Sequence, residues 1–316
     1  MQKIINDPKN FVDEMIEGIL TAHPDRLKCI NNDLRCITRS DEKKPGKVGL
    51  STGGGSGHLP LFLGYVGKGM LDACAVGNVF ASPGAEQMFE LTKAIDSGSG
   101  VLYIYGNYSG DVINFDMAAE MADAEDIKVE QVVAADDVAS SPKGKEGSRR
   151  GVAGIFYVYK IAGAYAEEMA SLDEVKRMAE KVCGNVRTMG VGLSPCIIPE
   201  VGKPTFEMND GEMEIGIGIH GEAGIGKGKL ETADKIVEKI MESILEDLPY
   251  KSGDEVSVLI NGLGATPKEE LYVVYRKVSQ VLKAEKIKVY HPDIGEFATS
   301  MEMAGMSISL LRLDNE

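Results

Sequence analysis

Twice in its first half, the chain passes from a short apolar stretch straight into a glycine-bearing polar loop. Lys47-Val48-Gly49-Leu50 leads into Ser51-Thr52-Gly53-Gly54-Gly55-Ser56-Gly57-His58, and Val101-Leu102-Tyr103-Ile104-Tyr105 leads into Gly106-Asn107-Tyr108-Ser109-Gly110-Asp111. Strands that alternate with helices build a largely parallel sheet, because a parallel neighbour is reached by a crossover connection. The pattern predicts a helix from about Pro60, since proline is well tolerated in a first helical turn, helix-like sequence after Asp111, and a further strand over 127–134. Ligands of such sheets bind at the carboxyl ends of the strands. Both loops are placed there, so one shared site is expected.

The rest of the chain continues the alternation. Residues 7–22 predict an amphipathic helix, with Phe11, Val12, Met15, Ile16, Ile19 and Leu20 at helical spacing. The Ala- and Gly-rich segment 151–170 predicts a buried helix. Ser171 and Glu174 form a capping-box pattern ahead of a helix over 173–183. In the second half, strands are expected at 189–199 and 212–219. A helix follows, with Ile236, Val237, Ile240, Met241, Ile244 and Leu245 on one face, then a buried strand over 256–260. Thr266-Pro267-Lys268-Glu269 predicts a helix start with a capping box and a proline at the first position, and 306–313 reads as a last strand. A length of 316 residues is long for one core. The fold class is therefore α/β, with two α/β domains, 1–186 and 187–316, each a largely parallel or mixed sheet flanked by helices.

Charge and cysteine usage exclude several functions. A net charge of −15 leaves no large basic surface to neutralise phosphates, so neither nucleic acid nor an anionic membrane is an expected partner. No stretch approaches the ~18 apolar residues of a membrane span, and the N-terminus lacks a signal-peptide pattern. Five cysteines, none in a CxxC pair, predict reduced thiols in a cytoplasmic protein rather than a zinc site or a disulfide framework.

Several residues carry candidate chemistry. Glycines 53–57 let backbone N–H groups approach a ligand closely, or else form a tight turn with none. Gly221-Glu222-Ala223-Gly224-Ile225-Gly226-Lys227-Gly228 nearly matches a phosphate-binding loop, but Gly228 stands where a magnesium-binding Ser or Thr is needed. No nucleotide site is expected in this chain. Of the four histidines, His23 and His291 each precede a proline and read as structural or solvated. His58 and His220 lie among glycines, and Gly218 and Gly221 open the backbone around His220. Asp111 reads as an N-cap for a helix starting at Val112 or as a site residue. Asp116, Asp136 and Asp137 are capping or metal candidates, but their spacing is not that of a calcium loop, and no metal is expected. Two histidines and an aspartate near glycine loops suggest nucleophilic or acid–base chemistry on a small molecule without specifying the reaction.

Thr52-Gly53-Gly54-Gly55-Ser56-Gly57-His58, Gly77-Asn78-Val79-Phe80-Ala81-Ser82-Pro83, Asn107-Tyr108-Ser109-Gly110-Asp111-Val112 and Gly216-Ile217-Gly218-Ile219-His220-Gly221-Glu222 resemble the motifs of the dihydroxyacetone kinase family, substrate-binding subunit. Asn261-Gly262-Leu263-Gly264 and Thr299-Ser300-Met301-Glu302-Met303-Ala304-Gly305 extend the resemblance over nearly the whole chain. It implies that His220 captures a ketose as a hemiaminal, that Asp111 is the general base on the terminal hydroxyl, and that His58 hydrogen-bonds the substrate. Backbone groups around Gly55, Ser56 and Gly57, together with Ser82, would position the sugar. It also implies a homodimer that carries no nucleotide itself. ADP or ATP with magnesium is then expected on a helical partner subunit, in one branch recharged by a phosphotransferase protein. Two positions depart from the family. Leu59 stands where Glu is usual, and Gly106 where Lys is usual. Both changes reshape the expected pocket, so a longer ketose such as erythrulose is a candidate beside dihydroxyacetone. A ketose-sensing coactivator is the competing expectation, although the presence of His58, Asp111 and His220 together favours catalysis.

Overall fold

The structure, a computed structural model, describes residues 2–316. The chain divides into two compact units, the first holding residues up to Ala134, Phe156–Val182 and Pro199–Gly202. In chain order its elements are α1 (Phe11–Ala22), β1 (Leu27–Ile30), β2 (Asp33–Arg39), β3 (Gly49–Ser56), β4 (Ala73–Val79), α2 (Ala85–Ile95), β5 (Val101–Gly106), α3 (Ser109–Asp123), β6 (Val129–Ala134), α4 (Ile155–Glu167) and α5 (Leu172–Asn185). The strand order is β1-β2-β4-β3-β5-β6. The last four are mutually parallel, and β1 and β2 add an antiparallel edge. Every residue of β5 is buried, as in a strand covered on both faces. On one face Met88 and Leu91 of α2 pack with Tyr103 and Tyr105 of β5 and Phe115 of α3. The Tyr105 and Phe115 rings stack with centroids 4.1 Å apart.

The order of connections locates the crevice. After β3 the chain moves to β4 on one side, and after β5 it moves to β6 on the other. β3 and β5 are neighbours, so their carboxyl ends flank the topological switch point, where open α/β sheets bind ligands. Those ends carry the two glycine loops.

Two expectations for this unit need comment. No helix starts at Pro60. The segment after β3 is a series of turns with a short 3₁₀ piece at Leu63–Tyr65, because Gly57 and Phe62 adopt φ values of 102° and 67°, outside the right-handed helical region. The capping box before α5 is present: Glu174 Oε2 accepts from Ser171 N at 3.0 Å, and Glu174 N reaches Ser171 Oγ at 3.4 Å.

The second unit holds Ala135–Ile155, Cys183–Ile198 and Lys203–Glu316. Its elements are β7 (Val186–Gly192), β8 (Glu212–Ile215), β9 (Gly226–Lys229), α6 (Ala233–Asp247), β10 (Glu255–Gly262), α7 (Lys268–Ala284), β11 (Lys288–Gly295) and β12 (Gly305–Leu313). The strand order is β11-β10-β12-β7-β8-β9, antiparallel except for β10–β11. The apolar stripes of α6 and α7, with Val237, Ile240 and Ile244 from one and Leu271, Val278 and Leu282 from the other, cover this sheet. A single cut between 186 and 187 would assign residues 135–155 to the first unit. They belong to the second because backbone bonds tie them to β7: Val138 N to Thr188 O at 3.0 Å and Thr188 N to Asp136 O at 2.8 Å.

Two further local differences have clear causes. α7 begins at Lys268 with Pro267 as its N-cap residue, and the expected capping box does not form. The Thr266 hydroxyl is instead engaged by Gly305, donating to its carbonyl at 2.7 Å and accepting from its N–H at 2.8 Å. His291 and Pro292, for which no strand is expected from the sequence, lie in β11, a sheet edge where proline is tolerated and polar side chains obscure the strand signal. Among the described residues, no helix is long and apolar enough to cross a membrane.

Candidate functional site

In the first unit, glycine serves close packing. A Cβ on Gly54 would lie 2.3 Å from the Phe62 ring, one on Gly55 2.7 Å from the Ala81 amide nitrogen, and one on Gly77 1.9 Å from the Ala81 carbonyl oxygen. Gly55 and Gly77 let the segment 80–83 lie directly on the ends of β3 and β4, and Gly54 makes room for Phe62. That narrows the expectation for the run 53–57, of which Gly57 alone has a positive φ. Ser56 donates its hydroxyl to Gly77 O at 2.7 Å, and Phe80 N bonds Ser56 O at 3.0 Å. His58 is 1% exposed and stacks on Phe80 at 4.8 Å between centroids, with Phe62 edge-on at 6.1 Å.

The same segment delivers Ser82, whose hydroxyl donates to Asp111 Oδ1. Asn114 of α3 secures it by donating to Pro83 O at 2.8 Å. Asp111 is not an N-cap. Tyr108 takes that position, and Asp111 is a buried residue of the first helical turn. A hydroxyl donor and the positive end of a helix dipole therefore both act on its carboxylate and favour its ionised form. Gly55, Ser56, Gly57, His58, Ser82 and Asp111 are thus linked at the carboxyl ends of β3, β4 and β5. Gly106 is the buried last residue of β5, and Leu59 follows His58 half-buried.

His220 belongs to the second unit, on a turn that follows β8. Gly216 and Gly221 take φ values of 78° and 85°, and hydrogen bonds Gly218 N to Glu222 O (3.0 Å) and Gly221 N to Gly218 O (3.1 Å) close the turn. The Glu222 side chain folds back onto the histidine. Its Oε2 accepts the His220 backbone N–H at 2.9 Å, and its Oε1 lies 2.9 Å from Nδ1. Burial opposes ionisation of Glu222, but the hydrogen bond and charge of His220 outweigh it and bring the carboxyl down to about 2. When the imidazole is neutral, the carboxylate can only accept from Nδ1–H, which leaves the lone pair on Nε2. In the sequence Glu222 stands out only as the end of a motif. A carboxylate two residues from a histidine inside a glycine turn was the available signal.

The remaining candidates have structural positions. Asp136 accepts from Val152 N and Gly154 N, each at 2.8 Å. Asp137 accepts from Arg150 Nε at 2.9 Å, and burial pushes its carboxyl up to about 6 against the pull of that arginine. Asp116 accepts from Gln131 at 3.0 Å. Among the described residues no cluster of three or more His, Cys, Asp or Glu side chains is arranged to hold a metal. Gly226, Lys227 and Gly228 lie in β9, where Lys227 donates to Glu207 O at 2.6 Å, so the near-match to a phosphate loop is a hairpin strand. His23 contacts Arg26 at 2.6 Å, and His291 lies 3.4 Å from Asp293.

A Dak1 domain matches residues 17–316. Across all of this chain, 48% of residues are identical to the dihydroxyacetone-binding subunit of PTS-dependent dihydroxyacetone kinase 1 from Listeria innocua serovar 6a, of which the match spans 95%. The chain is also 40% identical to an L-erythrulose kinase of Pectobacterium atrosepticum, aligned over all of this chain and 54% of that protein. A solved structure described as a dihydroxyacetone kinase operon co-activator superposes with a TM-score of 0.89 at 32% identity, covering 96% of this chain and 92% of that one. With the family model matching residues 17–316 and relatives aligned over the whole chain, the chain belongs to the Dak1 family and is a homologue of the dihydroxyacetone-binding subunits of dihydroxyacetone kinases.

Proposed function

We propose that this chain is the ketose-binding subunit of a dihydroxyacetone-type kinase, active with a partner subunit. It holds a short ketose on His220 as a hemiaminal and presents the terminal hydroxyl for phosphoryl transfer. The observation that carries the reading is the His220–Glu222 pair, with Nδ1 engaged by a carboxylate at 2.9 Å. Nε2 adds to the ketone carbon, a C–N bond forms, and the C=O π pair moves to oxygen. The Nδ1 proton passes to Glu222 and from Glu222 through solvent to the alkoxide, so Glu222 returns to its carboxylate, the adduct is neutral and proton count is conserved. An alcohol offers no electrophilic carbon, which accounts for choosing a ketose over glycerol.

Asp111 then removes the proton of the terminal hydroxyl as its oxygen attacks the phosphoryl group. Ser82 holds Asp111 Oδ1, and His58 hydrogen-bonds the sugar from its place on Phe80. Ser56 contributes through its backbone, like Gly55 and Gly57, since its hydroxyl is engaged by Gly77. The nucleotide, ADP or ATP with magnesium, is carried by a helical partner subunit, with a phosphotransferase protein as a source of phosphoryl groups. The working form is a cytoplasmic homodimer. Leu59 and Gly106 adapt the pocket to a longer ketose such as erythrulose, in line with the erythrulose kinase among its relatives. A ketose-sensing co-activator is the second reading, favoured by the likeness to the operon co-activator.

Reconstitution with a helical nucleotide subunit tests this. Turnover by the wild type that Asp111→Asn abolishes, with the ketose adduct retained, supports the kinase. Adduct without turnover in the wild type points to the sensor. An adduct that persists in His220→Ala overturns the central assignment.

A further inference from the structure

We infer that Arg150 is a positioning residue for the His220–Glu222 pair, holding the Glu222 carboxylate against Nδ1 so that Nε2 is the nucleophile. The inference rests on the proposed ketose capture and extends it to a residue outside the histidine turn. The guanidinium is fixed on two sides. Nε donates to Asp137 Oδ2 at 2.9 Å, Nη2 lies 2.7 Å from the same oxygen, and Nη2 also donates to Gly216 O at 2.9 Å. The main chain is held as well: Arg150 N bonds Ser140 Oγ at 3.0 Å, and Asp137 N bonds Arg150 O at 3.1 Å. So anchored, Nη1 stands 3.9 Å from Glu222 Oε2. That is an ion-pair distance rather than a hydrogen bond. The guanidinium therefore favours the carboxylate charge without displacing the His220 backbone N–H from Oε2.

The glycines of the turn fit the same device. A Cβ on Gly218 would lie 2.1 Å from Glu222 Oε2 and 2.4 Å from Arg150 Nη1, so no side chain at 218 is compatible with the approach of carboxylate to guanidinium. A Cβ on Gly216 would lie 2.5 Å from the Ala139 Cβ, so the turn also rests on the segment that carries Asp137. Arg150 is only 14% exposed at its side chain, which limits screening of its charge by solvent. A role limited to bridging Asp137 and Gly216 would need neither the Nη1 approach nor the bare Cα at 218.

The test uses the full chain and isotope-labelled dihydroxyacetone. The NMR signal of the ketone carbon moves to the tetrahedral range on adduct formation, and the nitrogen signals of the His220 ring report its tautomer. Arg150→Met is expected to weaken the adduct by about 10²-fold, as for a misplacement of the reacting groups by about 1 Å, and to lose the Nδ1–H tautomer. Arg150→Lys should recover part of both, and Gly218→Ala, whose Cβ would crowd both Glu222 Oε2 and Arg150 Nη1, should reproduce the loss. It carries the test if Arg150→Met does not fold. A folded Arg150→Met or Gly218→Ala chain with wild-type adduct affinity and tautomer overturns the inference alone. A wild-type chain that forms no adduct overturns ketose capture, and this inference with it.

Discussion

Gly77 of β4 offers a test of how packing supports chemistry in the first unit. Ordinary contact begins at about 3.4 Å, and a Cβ at 77 would lie 1.9 Å from the Ala81 carbonyl oxygen. Gly77→Ala must therefore move that carbonyl by about 1.5 Å or displace the end of β4. The obstacle is backbone, so no rotamer change relieves it. Ala81 immediately precedes Ser82, which donates to Asp111, and Asn114 opposes the movement by its bond to Pro83 O at 2.8 Å. Overpacking of this kind costs about 1–3 kcal/mol, and a displacement of about 1 Å at the reacting groups costs about 10²-fold in rate. Urea denaturation should show the stability loss. In the reconstituted phosphorylation assay kcat should fall about 10²-fold, while capture of ketose by His220 is unchanged. Wild-type stability would refute the packing argument, and wild-type kcat in a destabilised variant would refute the link from segment 80–83 to Asp111. Gly18→Ala is the control: nothing lies within 4 Å of its added Cβ in α1, so it should stabilise by about 0.5–1 kcal/mol with turnover unaltered.

Two further outcomes follow from charged pairs in the second unit. Asp247→Ala leaves the guanidinium of Arg149, 1% exposed and bonded to Asp247 at 2.9 Å, without its carboxylate, and should cost about 3–5 kcal/mol in denaturant titrations. Glu222 is held at about 2 against an ordinary value of 4.5, so the folded chain releases its proton more readily than the unfolded one. Its contribution is present above pH 4.5 and is lost as pH falls toward 2. It amounts to about 1–2 kcal/mol once solvent screening is allowed for, and Glu222→Gln should remove that part of the acid dependence from a stability–pH profile.

The elements legible in sequence were those whose burial imposes a period. β5 is buried throughout and α6 buries a single stripe, so the apolar pattern placed them, while α5 was marked by its capping box. β11 escaped because an edge strand is free to carry Tyr290, His291 and Pro292. The helix expected at Pro60 failed on two positive φ values that local composition does not report. At the candidate site, glycine settings pointed to His58, Asp111 and His220. Arg150 did not stand out, because its role depends on a turn 66 residues away in sequence that presents the Gly216 carbonyl. Thr266 shows the same limit: a capping signature was present, but a non-local partner at Gly305 took the hydroxyl.

The placement of residues 135–155 restricts how this architecture can be divided or recombined. The second unit is not one continuous stretch of sequence. A fragment starting at 187 would inherit His220 and Glu222 but leave Asp137 and Arg150 on the other piece. Such a fragment would keep the imidazole and lose the group that steadies its carboxylate. Grafting this half onto another scaffold therefore needs two segments rather than one, and a single genetic crossover near the middle of the chain would separate parts that act together.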